Sequence, residues 1–314
     1  NNDYEYIIKD CDPSLVIVSN KLQYKKIEKY IKKDIKNIIS FEPLETKNTL
    51  LEDIFNTELK DLEINKNIKR NFPACIIYTS GTSGNPKGVI LSHGGILSNC
   101  EGANEILKNL VGNETPTFLT WLPLSHSYEH AVQFIQIFLG AKIFYAENLE
   151  KLVSNMSIAK PTIMTAVPRF YQNLYNKINM NFNKLSGLKK WLIFTTILLG
   201  KKKLEKKKFS IFEILMNLIC EILVRKKIKK QFGGKLKAFV SGGGALDKNI
   251  GEFLNAVGLP TLQGYGLTEA SPVVSCSLPG DIRVETVGPP CKTNKVKVAS
   301  DGEILVKGEN VMLG

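Results

Sequence analysis

"ACIIYTSGTSGNPKGVILS", residues 74–92, holds a loop of hydroxyls, glycines and one lysine between two apolar runs. Thr79, Ser80, Thr82 and Ser83 alternate with Gly81 and Gly84, and Lys87 follows Pro86. Glycines let backbone N–H groups approach an anion, and hydroxyls donate to phosphate oxygens or ligate magnesium. The string is not G-x-x-x-x-G-K-[ST]. A loop of that kind runs into a helix, whereas here "ACIIY" and "GVILS" both read as strands. By composition alone, a phosphate cradle and a solvated Ser/Gly hairpin stand equally open.

Working outward, strand-length runs alternate with helical ones. "SLVIVS" (14–19), "TFLTWLP" (117–123), "AKIFYA" (141–146) and "PTIMTAV" (161–167) are short and rich in β-branched or aromatic residues. "YKKIEKYIKK" (24–33), "GGILSNCEGANEILKNL" (94–110) and "YEHAVQFIQIFL" (128–139) have helical spacing. "KLKAFVSGG", "LDKNIGEFLNAVG" and "PTLQGYG" repeat the rhythm after residue 235. Near-continuous apolar strands between helices imply an α/β fold with a mostly parallel, buried sheet. "RVETVGPP", "KVKVAS" and "EILVKG" suggest the start of a β-rich subdomain at 271–314, after an α/β region at 1–270. The chain begins just before the first of these strands and ends soon after the last, which reads as a cut through a larger protein.

Hydrophobic residues make up 43% of the 314 and charged residues 23%, values of an ordinary globular protein. Six dispersed cysteines without C-x-x-C favour reduced thiols over a disulfide framework or a zinc site, and a cytoplasmic setting. Three histidines are too few for a His-rich metal centre. "NNDYEYIIKD" lacks the basic start and apolar core of a secretory leader.

The net charge of +12 is not spread evenly. Residues 177–237 carry seventeen Lys or Arg against three Glu, a net of +14, which leaves −2 for the remainder. This segment interrupts the α/β rhythm with two apolar runs, 191–200 and 209–224, separated by "KKKLEKKK". Ser210, Glu213, Asn217 and Glu221 form a narrow polar stripe on the second run. Neither run reaches the ~20 apolar residues that span a bilayer. A core-packing helical hairpin with a solvated lysine loop, and a peripheral contact with an anionic membrane surface through 188–230, are both open readings. No aromatic-studded basic groove speaks for nucleic acid.

Three further stretches each follow a strand. "GYGLTE" (264–269) places Tyr265, Thr268 and Glu269 beside Gly264 and Gly266, at the strand end where open α/β sheets bind ligands. "SGGGAL" (241–246) offers bare backbone at Gly243, Gly244 and Ala245. "WLPLSHSYEH" (121–130) supplies His126. Singly, each also reads as a turn, a cap or a core histidine.

Together with "YTSGTSGNPKG", these stretches resemble the adenylate-forming superfamily. "LPLSHSYE", "VPRFYQNLY", "SGGGALD" and "LQGYGLTEASPVVS" resemble its AMP-forming long-chain fatty-acid–CoA ligases, across the whole chain. The resemblance implies the large N-terminal domain of such an enzyme, joining a fatty acid to coenzyme A through an acyl-adenylate at the expense of ATP. It implies that Thr79, Ser80, Gly81, Thr82, Ser83, Gly84 and Lys87 wrap the β- and γ-phosphates, and that Thr79 and Glu269 hold Mg²⁺. Thr268 would touch the α-phosphate. Tyr265, with Gly264 and Gly266, would stack on adenine opposite Gly243, Gly244 and Ala245. Thr268, Glu269 and Lys87 would be the catalytic groups, and His126 would stand where the acyl chain enters. Glu129 and His130 have a weaker expected role, or simply pack. The resemblance places a small C-terminal domain beyond residue 314, so the isolated chain is expected to be nearly inactive. An acyl-AMP ligase serving a carrier protein, and a non-catalytic nucleotide- or membrane-binding fragment, are the alternatives.

Overall fold

A computed structural model describes residues 2–31, 37–46, 48–57, 67–80 and 84–314. Gly81, Thr82 and Ser83 of the hydroxyl-rich loop lie outside the described residues, as do Lys32 and Lys33 of the expected early helix. The chain divides into two compact units, residues 1–68 with 78–89 and residues 69–77 with 90–314.

The first unit opens with helix α1 (Asn2–Cys11), where the sequence reading expected only the approach to a strand. Strand β1 (Leu15–Val18) follows, then α2 (Lys21–Ile27), capped by Asn20 through the Gln23 N–H at 3.0 Å. Helix α2 ends earlier than its apolar spacing suggested and passes into a 3₁₀ turn at Glu28–Tyr30. Strands β2 (Asn37–Ser40) and β3 (Thr49–Leu50) lie parallel beside β1, and α3 (Leu51–Phe55) follows. Val18, Tyr24 and Ile38 form the small core. Strands β4 (Pro73–Thr79) and β5 (Lys87–Ser92), whose residues divide between the first unit and the second, make a two-stranded ribbon. The loop therefore runs from strand to strand, as its apolar flanks required, and no helix follows it directly.

In the second unit the chain continues through α4 (His93–Val111), β6 (Thr117–Thr120), α5 (Ser127–Phe138), β7 (Lys142–Tyr145), α6 (Leu152–Ala159), β8 (Ile163–Ala166) and α7 (Pro168–Asn183). Helices α8 (Gly187–Leu204), α9 (Ile211–Cys220) and α10 (Lys226–Gln231) come next, with a π turn at Glu221–Arg225 between the last two. Strand β9 (Ala238–Ser241), α11 (Lys248–Ala256), β10 (Thr261–Gly266) and β11 (Val273–Cys276) complete the main sheet. Its order is β11-β10-β9-β8-β6-β7, parallel except for β11. Strands β12 (Asn294–Val298) and β13 (Ile304–Gly308) pair as a separate antiparallel ribbon.

Side chains alternate across this sheet. Phe118 and Ile163 pack with Ile96, Cys100 and Ile135 of α4 and α5 on one face. Leu119, Met164 and Phe239 pack with Tyr171, Leu174 and Phe253 of α7 and α11 on the other. The period of two along each strand explains why residues adjacent in sequence belong to opposite cores. Ile163 and Met164, both fully buried, show why these strands had to be apolar on both sides. Phe170, Tyr171 and Phe239 meet edge to face, with centroids 5.4–5.9 Å apart.

The chain leaves β6 to form β7 on one side, then returns past β6 to form β8, β9 and β10 on the other. The carboxyl ends of β6 and β8 therefore flank a topological switch point, where open parallel sheets place their ligands.

Candidate functional site

In the first unit, β4 delivers Thr79 and β5 delivers Lys87 to the two ends of the loop. The Thr79 hydroxyl reaches the Lys87 carbonyl at 3.5 Å. Ser80 and Lys87 are exposed, and Gly84 adopts φ = 132°, a backbone suited to glycine. Tyr78 donates to Asp10 of α1 at 2.5 Å, tying the loop's entry to the first helix. Burial, and then the Asp10 carboxylate, hold the Tyr78 phenol well above its ordinary range, so it is a neutral donor.

In the second unit, the other expected residues come together at the carboxyl edge of the sheet. β10 ends in Gly264, Tyr265 and Gly266, and a 3₁₀ turn at Thr268–Ala270 presents Thr268 and Glu269. Against β11 the pairing slips by one residue between Tyr265 and Gly266. Such a bulge bends the strand and redirects the side chains beside it. Gly266 is fixed by packing, because a Cβ there would lie 2.0 Å from the Pro272 carbonyl oxygen. Gly264 is under no such constraint.

The turn is held from three sides. Asn99 of α4 accepts the Val273 N–H at 2.7 Å and donates to the Ala270 carbonyl. Asn310 donates to the same carbonyl at 3.0 Å, and its own carbonyl accepts the Ser271 hydroxyl at 2.8 Å. The Met312 N–H binds the Glu269 carbonyl at 2.8 Å. The Glu269 carboxylate has no hydrogen-bond or ion-pair partner among the described residues.

The next strand, β9, runs into Gly242, Gly243 and Gly244. Gly242 lies flat on the Tyr128 ring, where a Cβ would sit 2.7 Å from the ring carbons. Gly243, at φ = 76°, Gly244 and Ala245 are exposed, with only Val167 and Pro168 at ordinary contact distance from the two glycines. That leaves a bare ledge beside Tyr265, one strand away.

After β6, His126 caps α5. Its Nδ1 accepts the Tyr128 N–H at 3.2 Å, which leaves the ring's proton on Nε2. The bland reading of His126, a histidine capping a helix, is thus correct about its local contact, and its exposed ring stays open to a second role. The next residue is one that sequence reasoning missed. The Ser127 hydroxyl lies 3.0 Å from that of Thr268, joining the start of α5 to the β10 turn. Tyr128 was missed as well. It donates to the Val240 carbonyl at 2.9 Å, and burial pushes its phenol well up. The available signal was the quoted "SHSYE" run itself, read for His126 and, more weakly, Glu129, and not for its hydroxyls.

Glu129 and His130 pack inward. Glu129 is fully buried, with one oxygen 3.3 Å from the Thr165 hydroxyl and the other unpartnered. Burial raises its carboxyl to about 7. His130 lies edge-on to Phe134, and burial lowers its basicity.

The fold is similar to that of O-succinylbenzoate coenzyme A synthetase from Bacillus subtilis, solved with ATP and magnesium. The TM-score is 0.66 at 17% identity, covering 100% of this chain and 54% of that one. Apo MatB from Rhodopseudomonas palustris gives 0.67 at 20% identity, with 100% and 54% covered. In sequence, fatty acyl-CoA synthetase A of Dictyostelium discoideum is 30% identical over 342 residues, covering 100% of this chain and 50% of its own length. Long-chain-fatty-acid–CoA ligase 1 of Cavia porcellus is 32% identical over 255 residues, covering 77% and 36%. The chain thus spans half or less of the length of these relatives. The family described as AMP-binding enzyme matches residues 1–314, and the chain belongs to it.

Proposed function

We propose that the protein activates a long-chain fatty acid with ATP and transfers the acyl group to coenzyme A. The carboxylate oxygen would bond to the α-phosphorus as pyrophosphate leaves. The CoA sulfur would then bond to the acyl carbon as AMP leaves. The observation that carries this reading is the convergence of the β10 turn, the Gly242–Gly244 ledge and the Ser127–Thr268 hydroxyl pair on one sheet edge.

The ledge and Tyr265 fit a flat base: exposed backbone at Gly243 and Gly244 meets nothing closer than ordinary contact. Thr268, oriented by Ser127, would donate to the α-phosphate. Lys87 and the hydroxyls of the 79–84 loop would neutralise the departing phosphates, and such positioning and charge neutralisation supply most of the catalysis in phosphoryl-type displacements. The Glu269 carboxylate, unpartnered among the described residues, suits magnesium, which is bound by one or two protein oxygens plus substrate phosphates. The ion would supply charge stabilisation on the phosphate oxygens. Among the described residues no cluster of three His, Cys, Asp or Glu side chains forms a metal cage.

Coenzyme A, rather than a carrier protein, is favoured as acceptor by the printed names of the relatives. No helix among the described residues is long and apolar enough to cross a membrane, and we read the cellular placement as cytoplasmic with peripheral membrane contact.

The site assignment is tested with Thr268→Val and Glu269→Gln. Both side chains sit on the partly exposed turn, so each variant should melt close to the parent. We expect acyl-adenylate formation to fall by about 10²-fold or more. Unchanged rates in both would remove this turn from the mechanism.

A further inference from the structure

The basic segment is built with its polarity reversed. In a surface helix the apolar stripe faces the core and the polar stripe faces water. In α9 and the π turn that continues it, the stripe Glu213, Asn217 and Glu221 is engaged by neighbouring protein groups. Glu213 pairs with Lys202 of α8 at 2.6 Å. Asn217 Oδ1 accepts from Arg225 at 2.9 Å, and Glu221 lies 3.5 Å from the same guanidinium. Arg225 is itself buried and also donates to the Ala256 and Thr196 carbonyls, at 2.8 and 3.1 Å.

The opposite stripe is left bare. Ile211 (89% exposed), Ile214, Leu215 (57%), Leu218 and Ile222 recur at three- and four-residue steps along one face. On α8, Leu188 (77%), Trp191 (49%), Phe194 (67%) and Leu198 do the same. Large apolar side chains in a contiguous row mark an interaction surface rather than ordinary exposure.

Charge identifies what covers it. Lys190 is four residues before Phe194, and Lys226 is four residues after Ile222, so cations extend the apolar rows at both ends. An open groove of about 400 Å³ between α8 and the π turn with α10 is lined by Leu188, Leu192 and Leu223 together with Lys189 and Lys227. None of Lys189, Lys190, Lys226 or Lys227 has an ion-pair partner among the described residues. The segment's net +14 in an otherwise slightly acidic chain is concentrated where the apolar rows are.

We propose that the outer face of α8 and α9 is a docking surface for an anionic lipid bilayer. The apolar rows enter the boundary between headgroups and acyl chains, and the flanking lysines contact lipid phosphates and carboxylates. The surface goes beyond the enzymatic reading and does not depend on it.

The test is co-sedimentation of the protein with phosphatidylcholine vesicles, with and without phosphatidylserine, in the absence of ATP and fatty acid. Binding should be at least about tenfold tighter to the anionic vesicles and should weaken as salt is raised. Brominated lipid should quench Trp191 fluorescence, and Trp191→Phe should remove that quenching. The double variant Ile211→Glu, Leu215→Glu changes only exposed positions, so its circular dichroism and melting should match the parent while vesicle binding is lost. Binding that is absent, that is equal on neutral vesicles, or that survives the double variant overturns the proposal. Lipid-free dimerisation abolished by the same variant would also overturn it, by making the face a contact between copies. A protein that docks but lacks ligase activity would refute only the enzymatic reading.

Discussion

At the scale of single residues, Glu129 carries a pH signature. Its carboxyl sits in the core beside Thr165, and burial raises it from 4.5 to about 7. A group whose folded value is raised stabilises the fold fully below its unfolded value and loses that contribution as pH rises through the folded one. Glu129 should therefore cost roughly 3 kcal/mol of stability between about pH 4.5 and pH 8. Glu129→Gln keeps the shape and removes the charge. Urea titrations should show the parent losing stability across that range and the variant staying flatter, with the variant the more stable at pH 8. Parallel pH profiles would mean that the carboxyl is hydrated. Two glycines in one strand give a second contrast. Gly266→Ala forces a methyl onto the Pro272 carbonyl, whereas Gly264→Ala meets nothing closer than 3.6 Å. The first should cost about 2 kcal/mol or more, lowering the melting temperature by roughly 4–8 °C, and should weaken nucleotide binding. The second should leave the melting temperature near that of the parent. Equal melting of the two variants would contradict the packing of this turn.

At the scale of elements, the helical segment depends on one buried cation. Arg225 lies in the π turn, and its guanidinium gathers carbonyls from Ala256 and Thr196 and the Asn217 amide oxygen. The close approach of α8 to α11 that brings those carbonyls together requires Gly200, where a Cβ would lie 2.4 Å from the Ala256 Cα. Arg225→Met fills similar volume but strands the acceptors, and should cost roughly 2–4 kcal/mol. Arg225→Lys should recover only part of this, because an ammonium cannot span the fork. Denaturant midpoints of the three proteins decide it, and a Met variant as stable as the parent would contradict the inward-facing polar stripe. The elements themselves were largely legible. The apolar runs at 117–123, 141–146 and 161–167 became β6, β7 and β8: β6 and β8 are inner strands that must be apolar on both faces, whereas β7 is an exposed edge strand recognisable by its β-branched and aromatic residues. The stripe in α9 was also readable as a stripe. Which way it faced was not, since periodicity locates a face without saying what lies against it. In α6 the period was blurred because Val153 and Ile158 stand exposed among Ser154, Asn155 and Ser157, and α1 lay in a run read only for the absence of a leader.

At the scale of the whole molecule, order along the chain hid the site. Residues 126, 243 and 268 are far apart in sequence and share an edge only because β6, β8, β9 and β10 are parallel neighbours. Spacing could nominate Thr268 and His126 one at a time. It could not indicate that Ser127 would touch Thr268, a contact that depends on strand order. The hydroxyl-rich loop was read rightly as a strand-to-strand connection, and that reading separates the chain from nucleotide-binding proteins whose lysine loop opens a helix. In the proposed reaction the phosphate end of ATP leaves while chemistry occurs at the α-phosphate. Exchange of labelled pyrophosphate into ATP measures that directly. We expect exchange that requires both fatty acid and magnesium, falls by about 10²-fold or more in Lys87→Ala, and yields an acyl thioester when coenzyme A is added. Exchange independent of fatty acid, or release of ADP and phosphate in its place, would contradict it.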